Sequence, residues 1–179
     1  MKPTKCKMKQ DGCEGSYIKW SLTQKTCNNP LCAIELMQQE KAKKARKSHL
    51  AAKVKARSRG EWLKLAQQAF NAWIRKRDHG KPCISCGTTA NVQYCAGHYR
   101  TVGACPELRF EPLNVHLQCN KNCNMEKSGN IIEYRIRLSA KIGAESLAWL
   151  EGYHAPKKYT IPELQAIIAE YKAKLKSLG

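Results

Sequence analysis

Acidic residues are scarce in this chain: fourteen Asp and Glu stand against thirty-two Lys and Arg, and only two of the fourteen are aspartates, Asp11 and Asp78. That scarcity argues against an active site of clustered carboxylates around two metal ions. Long apolar runs are missing too. No segment approaches the ~20 apolar residues of a membrane span, and the opening MKPTKCKMKQ lacks the apolar core of a secretory signal. A cytoplasmic protein with no membrane partner is expected. At 179 residues the chain has limited core for one or two small domains, so metal support is expected as well.

What is present is positive charge and cysteine. The formal charge is +18, and eight thiolates around two Zn²⁺ ions would lower it only to +14. Such an excess is an electrostatic footprint for a polyanion, with nucleic acid the favoured partner. Ten cysteines in a reducing compartment, closely spaced, point to metal binding more than to disulfides.

Four regions separate along the chain. Residues 1–34 carry Cys6, Cys13, Cys27 and Cys32 with little hydrophobic periodicity, as in a zinc-stapled knob. Residues 35–80 follow as basic and amphipathic helices. From Lys41 to Arg59 there are nine basic residues and no acidic one, among them Lys43, Lys44, Arg46, Lys47, Lys53, Lys55, Arg57 and Arg59, so a helix here finds no counter-charge of its own. It either contacts phosphates or is a solvated linker. After a break at Gly60, Trp62, Ala66, Ala69, Phe70 and Trp73 share one helical face, read as core packing rather than base stacking. Gly80 and Pro82 stop that helix before a core region at 81–130. The last region, 131–179, reads as helical with an interruption at Gly143. Its final helix opens on TIPE, where Thr160 and Glu163 form a capping box ahead of an apolar seam.

In the core region Cys83 and Cys86 are separated by two residues and Cys119 and Cys123 by three, so two knuckles supply four thiolates to one structural zinc. Cys95 sits in the alternating run NVQYCAGHY as a small strand residue. Between the knuckles lie AGHY, ending one strand, and LNVHLQC, entering the second knuckle, with Asn124 opening what reads as a helix. This layout of His98, Asn114 and Asn124 on strand, strand and helix beside a zinc resembles the ββα-metal, or HNH, nuclease fold. The implied class is α+β: a zinc-stabilised HNH-like core with flanking helices and an amino-terminal zinc knob. The resemblance implies one-metal phosphodiester hydrolysis. His98 takes the proton from water, Asn114 orients the hairpin, and Asn124 offers its amide oxygen to a catalytic Mg²⁺ or Mn²⁺. His116 is either a second metal ligand or a residue pointing into the zinc lobe. Arg100 and Arg109 are either a phosphate clamp or plain surface charge. One departure matters: where HNH proteins usually carry a metal-binding aspartate, this chain has Gly97, leaving Glu111, Glu126 or His116 to complete the sphere.

The runs FNAWIRKRD, CISCGTTANVQYCAGHY, RFEPLNVHLQCNKNCN, SGNIIEYRIRL and YTIPELQAIIAEYKAKL resemble the NinG, or Rap, recombination proteins of lambdoid phages, over residue 70 to the end with the cysteine-bearing start also fitting. The resemblance implies an endonuclease acting on branched intermediates such as Holliday junctions and D-loops in the cytoplasm of a bacterial host. It also suggests a homodimer, with host or phage recombination proteins as further partners. The competing classes are a non-catalytic zinc protein that binds DNA or RNA as a mediator or regulator, and a thiol redox switch, for which no activated cysteine is apparent.

Overall fold

The computed structural model describes residues 2–179; Met1, the first residue of the expected module at 1–34, lies outside it. The chain forms two compact units, one ending at Arg57 and one beginning at Ser58.

The first unit has almost no aliphatic core. Strands β1 (Thr4–Lys5) and β2 (Ser16–Tyr17) pair antiparallel, and the buried cluster beneath them consists of Cys6, Tyr17, Cys27 and Cys32, with Met8 and Cys13 at its edge. So little apolar area stabilises a fold only weakly, and the centre of the unit is made of sulfur instead. Helix α1 (Pro30–Lys55) grows out of this cluster. Asn29 caps it, accepting from the Leu31 N–H at 2.8 Å, Pro30 sits where its missing N–H costs nothing, and Cys32 is fully buried in the first turn. From Lys41 to Lys53 every residue is exposed. The knob and the basic helix thus share one element rather than dividing at residue 34. Because α1 ends at Lys55, Arg57 lies in the connecting segment and Arg59 opens the next helix, correcting the single helix expected over 41–59.

The second unit begins with α2 (Arg59–Arg77). Ser58 and Glu61 form a capping box, so Gly60 lies in the first turn instead of breaking the chain. The buried face of α2, Ala66, Ala69, Phe70 and Ile74, meets α5 (Ile161–Ser177), whose own capping box is Thr160 with Glu163. Phe70 and Tyr171 stack edge to face at 4.8 Å between centroids. The apolar seam of the last helix therefore packs on its own unit.

Strands β3 (Tyr94–His98) and β4 (Val115–Cys119) form an antiparallel hairpin with His98 opposite Val115 and Gly97 opposite His116. Val115 and Ala96 belong to the cluster of α2 and α5. A second cluster gathers Ile84, Tyr99 and Leu108 with Tyr134 and Leu138 of α3 (Ile131–Ile142) and Leu147 and Leu150 of α4 (Ala144–Glu151). Tyr134 donates from its hydroxyl to the Gly97 carbonyl at 2.9 Å, which ties α3 to the hairpin. Gly143 interrupts the helices as the sequence suggests. Asn124 does not open α3: it lies in a π-helical turn, Asn120–Met125, and α3 starts only at Ile131. Among the described residues no helix is long and apolar enough to cross a membrane.

Candidate functional site: two thiol tetrads and a histidine cleft

Two groups of four cysteines converge. Cys6, Cys13, Cys27 and Cys32 form one, Cys83, Cys86, Cys119 and Cys123 the other, with the sulfurs of each within 4.8 Å of one another. Four ligands at about 2.3 Å from a tetrahedral Zn²⁺ stand about 3.8 Å apart. The measured Sγ separations are 3.8 Å for Cys13–Cys27, 3.6 Å for Cys83–Cys119 and 3.7 Å for Cys86–Cys119. Backbone N–H groups aim at the sulfurs as they would at thiolates: Cys27 N–H donates to Cys6 Sγ at 3.4 Å and Cys119 N–H to Cys83 Sγ at 3.3 Å. Gly87 makes the first knuckle possible: its positive φ, 75°, turns the chain after Cys86, and a Cβ there would collide with the Arg137 side chain. Both tetrads are positioned to bind metal ions and fit structural zinc.

The second tetrad builds a cleft beside it. Cys123 anchors the turn that carries Asn124, and the chain then folds back through Ser128, Gly129 and Asn130, all with φ between 47° and 92°. Left-handed backbone at two non-glycine residues in succession with a glycine is strained, and such strain gathers at functional positions. The resulting cleft, about 480 Å³, is lined by Ala96, His98, Thr101, Asn124, Ser128 and Gly129 among others. His98 and Asn124, far apart in sequence, thus face one space. His98 Nε2 lies 3.0 Å from the Arg109 carbonyl oxygen. A carbonyl only accepts, so Nε2 carries the proton and Nδ1 keeps its lone pair. Burial lowers the His98 pKa, so the ring is neutral near pH 7. The Asn124 amide has no hydrogen-bond partner among the described residues.

Asn114 is fully buried and bonds the loop between the strands to itself: Oδ1 accepts from Arg100 N–H at 2.7 Å, and Nδ2 donates to the carbonyls of Arg100 and Leu108 at 3.0 and 3.1 Å. These bonds fix the end of β3 where His98 sits. The two arginines read as a phosphate clamp do not line the cleft. Arg100 Nη1 donates to the Leu150 carbonyl at 3.1 Å, and Arg109 Nη1 to Gln67 Oε1 at 3.2 Å.

His116 is also elsewhere. Neighbouring strand positions point to opposite faces, and His116 pairs with Gly97 while His98 pairs with Val115, so the two imidazoles lie on opposite sides of the hairpin. His116 Nε2 donates to the Leu113 carbonyl at 3.0 Å, and Nδ1 accepts from Lys141 Nζ at 2.9 Å and Arg77 Nη2 at 3.0 Å. Burial, reinforced by those cations, keeps it neutral. Its neighbour Asp78, 1% exposed, ends α2 and accepts from Arg77 at 2.6 Å, Lys81 at 3.0 Å and the Leu117 N–H. Burial alone would raise the Asp78 pKa, but the Arg77 and Lys81 cations that donate to it hold it well below the usual carboxylate range.

At Gly97 the missing aspartate has a physical counterpart. A Cβ there would collide with Gln118, whose Nε2 donates to Ser85 Oγ at 2.6 Å and the Gly129 carbonyl at 2.5 Å. Gln118 Oε1 is the one buried side-chain polar atom among the described residues with no partner. Glu111 caps the turn at Pro112–Asn114 and Glu126 lies 4.0 Å from Lys121; neither lines the cleft. Among the described residues no third group of three His, Cys, Asp or Glu side chains converges on a common point. The donors that face the cleft are thus neutral. Sequence reasoning missed Asp78, Lys141, Ser85 and Gln118: Lys141 reaches His116 across 25 positions, Gln118 reaches Ser85 across 33, and Ser85 reaches the Gly129 carbonyl across 44; the one available signal was a lone aspartate in a run of basic residues at the end of a helix.

A family model described as Bacteriophage Lambda NinG protein matches residues 1–179. Protein ninG of Escherichia phage lambda is 40% identical over 195 residues, covering 99% of this chain and 95% of that protein. Those of Escherichia phage 933W and Salmonella phage P22 are each 48% identical over 126 residues, 70% of this chain; the chain spans 62% of the length of these two relatives. No solved structure matches the chain.

Proposed function

The chain belongs to the NinG family of bacteriophage proteins, and from that premise we propose that it is a metal-dependent endonuclease that cuts branched DNA. The observation that carries this reading is the convergence of His98, neutral and with a free Nδ1, and the unengaged Asn124 amide on one cleft beside a thiol tetrad. The layout of His98, Asn114 and Asn124 in the sequence resembles that of HNH nucleases, which supports the reading further, although Asn124 lies in the turn between β4 and α3 and not on α3 itself.

In this reading His98 Nδ1 removes a proton from a water in the cleft as the water's oxygen attacks phosphorus. The bond from phosphorus to the 3′ oxygen breaks and that oxygen takes a proton from solvent, so the products carry a 3′ hydroxyl and a 5′ phosphate. Asn114 holds the strand end that aims His98, and the Arg109 carbonyl holds its tautomer. Asn124 Oδ1, with the Ser128 and Thr101 hydroxyls, would hold a divalent cation, which when bound supplies charge neutralisation at the departing oxygen. With no carboxylate in the lining, the protein offers that cation only neutral donors. The phosphate must then supply the anionic ligand, and cation and DNA bind together.

The net charge of +18 and the exposed lysines and arginines of α1 support a polyanionic partner held through phosphates, without base identity. Two structural zincs and a homodimer matched to junction symmetry belong to the same proposal. The test is nicking of a labelled four-way junction beside a linear duplex of the same arms, with Mg²⁺ or Mn²⁺ in chelator-free buffer so that zinc is retained. The reading expects nicks in the junction that DNA ligase reseals. The absence of a carboxylate favours one alternative, a zinc-bearing recombination mediator that binds DNA without cutting it; tight junction binding with no nicking under any cation would establish that instead.

A further inference from the structure

The first unit exposes an apolar face that its own fold does not use. On the segment after β2, Ile18, Trp20 and Leu22 are 60%, 80% and 98% exposed. Single exposed apolar residues are ordinary, but these three alternate along one short stretch and the stretch is held in place. Trp20 N–H donates to Gln24 Oε1 at 3.1 Å, Tyr17 donates from its hydroxyl to the Gln24 carbonyl at 3.1 Å, and Gln24 Nε2 donates to the Thr26 carbonyl at 3.0 Å, one residue before Cys27 of the tetrad. Gln24 thus pins the loop to the thiol cluster. The indole is presented on a braced support.

Around it lies positive charge alone. A cleft of about 420 Å³ is lined by Lys2, Thr4, Lys19, Trp20, Ser21 and Leu22. A second, sharing Thr4, Lys19 and Leu22, adds Lys5, Lys7 and Lys25. No acidic side chain lines either cleft, and of these lysines only Lys25 has an ion-pair partner among the described residues, Glu40 at 2.6 Å. A protein-binding patch has an apolar centre depleted in charge; here lysines interleave with the apolar side chains. A single strand offers what this face lacks, a phosphate chain for the lysines and open base faces for an indole. A continuous duplex hides those faces in its stack.

We infer that the Trp20 face of the amino-terminal unit binds unpaired DNA, one base stacking on the indole while Lys2, Lys5, Lys7 and Lys19 follow the backbone. This goes beyond the cleavage reading and does not depend on it, because binding is measured without cutting.

The test uses the full zinc-loaded chain in buffer with neither divalent cation nor chelator. Fluorescence anisotropy follows a labelled short oligothymidylate and a duplex of equal length, with wild type, Trp20→Ala, Trp20→Phe and Leu22→Ser, zinc content being assayed for each. Stacking on one aromatic ring corresponds to about 5- to 150-fold in affinity. Trp20→Ala is expected to lose that factor for the oligothymidylate and to leave duplex affinity nearly unchanged, while Trp20→Phe retains most of the binding. Leu22→Ser, on a side chain too exposed to touch the tetrad, is expected to weaken only the single strand. Wild-type affinity for the oligothymidylate in Trp20→Ala would overturn the inference. So would equal loss for both DNA forms, or Trp20-dependent binding to anionic vesicles with none to the oligonucleotide.

Discussion

At the scale of single residues, the proposed reaction makes one measurable demand, on His98, and the fold makes another, on Asp78. His98 must be neutral to take a proton, and burial sets its pKa below the ordinary 6.5. The cleavage rate should therefore rise with pH along an acid limb lying below the usual histidine value and level off by neutrality; a limb centred above pH 7 would assign the base elsewhere. The second demand falls on Asp78. Its carboxylate is buried among Arg77, Lys81 and Lys141, and removing it leaves those cations facing each other. Asp78→Ala should destabilise the second unit by about 3 kcal/mol in urea unfolding. The sign in pH follows from the direction of the shift. Because the folded carboxyl is the stronger acid, its contribution is present above the unfolded pKa and fades as pH falls through the acid range towards the folded value. Asp78→Ala should flatten that acid dependence, and an unaltered curve would deny the carboxylate its role. The placement of His98 at a strand end was legible in the sequence, because a histidine closing an alternating run between two cysteine knuckles is a recognisable pattern. His116 was not, because only the register of the hairpin reveals that it faces away from His98.

At the scale of elements, the helix ends show how local chemistry fixes the chain. Two capping boxes, Ser58 with Glu61 and Thr160 with Glu163, open α2 and α5. The second stood out as TIPE, whereas the first was hidden because the adjacent Gly60 reads as a breaker although a glycine is tolerated in a first turn. Thr160→Ala should cost about 1 kcal/mol, measured as a drop in the urea midpoint at constant slope. Helix α1 is the contrasting case. With only Cys32 buried and every residue exposed from Lys41 to Lys53, it has no packing to lose. Replacing Lys43, Lys44 and Lys47 by Gln should leave thermal stability nearly unchanged while weakening DNA binding. It should also shallow the salt dependence of log K by about 0.9 for each phosphate that is no longer neutralised. A drop in melting temperature with unchanged salt dependence would mean that this helix supports the fold and touches no DNA. The turn carrying Asn124 was misread as a helix start because the left-handed residues Ser128 to Asn130, which delay α3 to Ile131, leave no periodic signal.

At the scale of the whole molecule, the two units differ in how much core they have apart from their cysteines. The first has four cysteines and a tyrosine at its centre, while the second has two apolar clusters of its own in addition to its tetrad. The second tetrad was legible from cysteine spacing, since Cys83, Cys86, Cys119 and Cys123 fall in two close pairs; the first was less so, because six, thirteen and four residues separate Cys6, Cys13, Cys27 and Cys32. The layering of α2 with α5 and of α3 with α4 about the hairpin was not, because an apolar stripe announces that it packs but not against what.

His98 is tested as the general base by cleavage of a four-way junction by wild type and by His98→Ala under the same Mg²⁺ or Mn²⁺ conditions, with binding and zinc content followed in parallel. If His98 is the base, His98→Ala binds the junction as wild type does, keeps its zinc, and cuts about 10²- to 10⁴-fold more slowly. Undiminished cleavage by His98→Ala would contradict it.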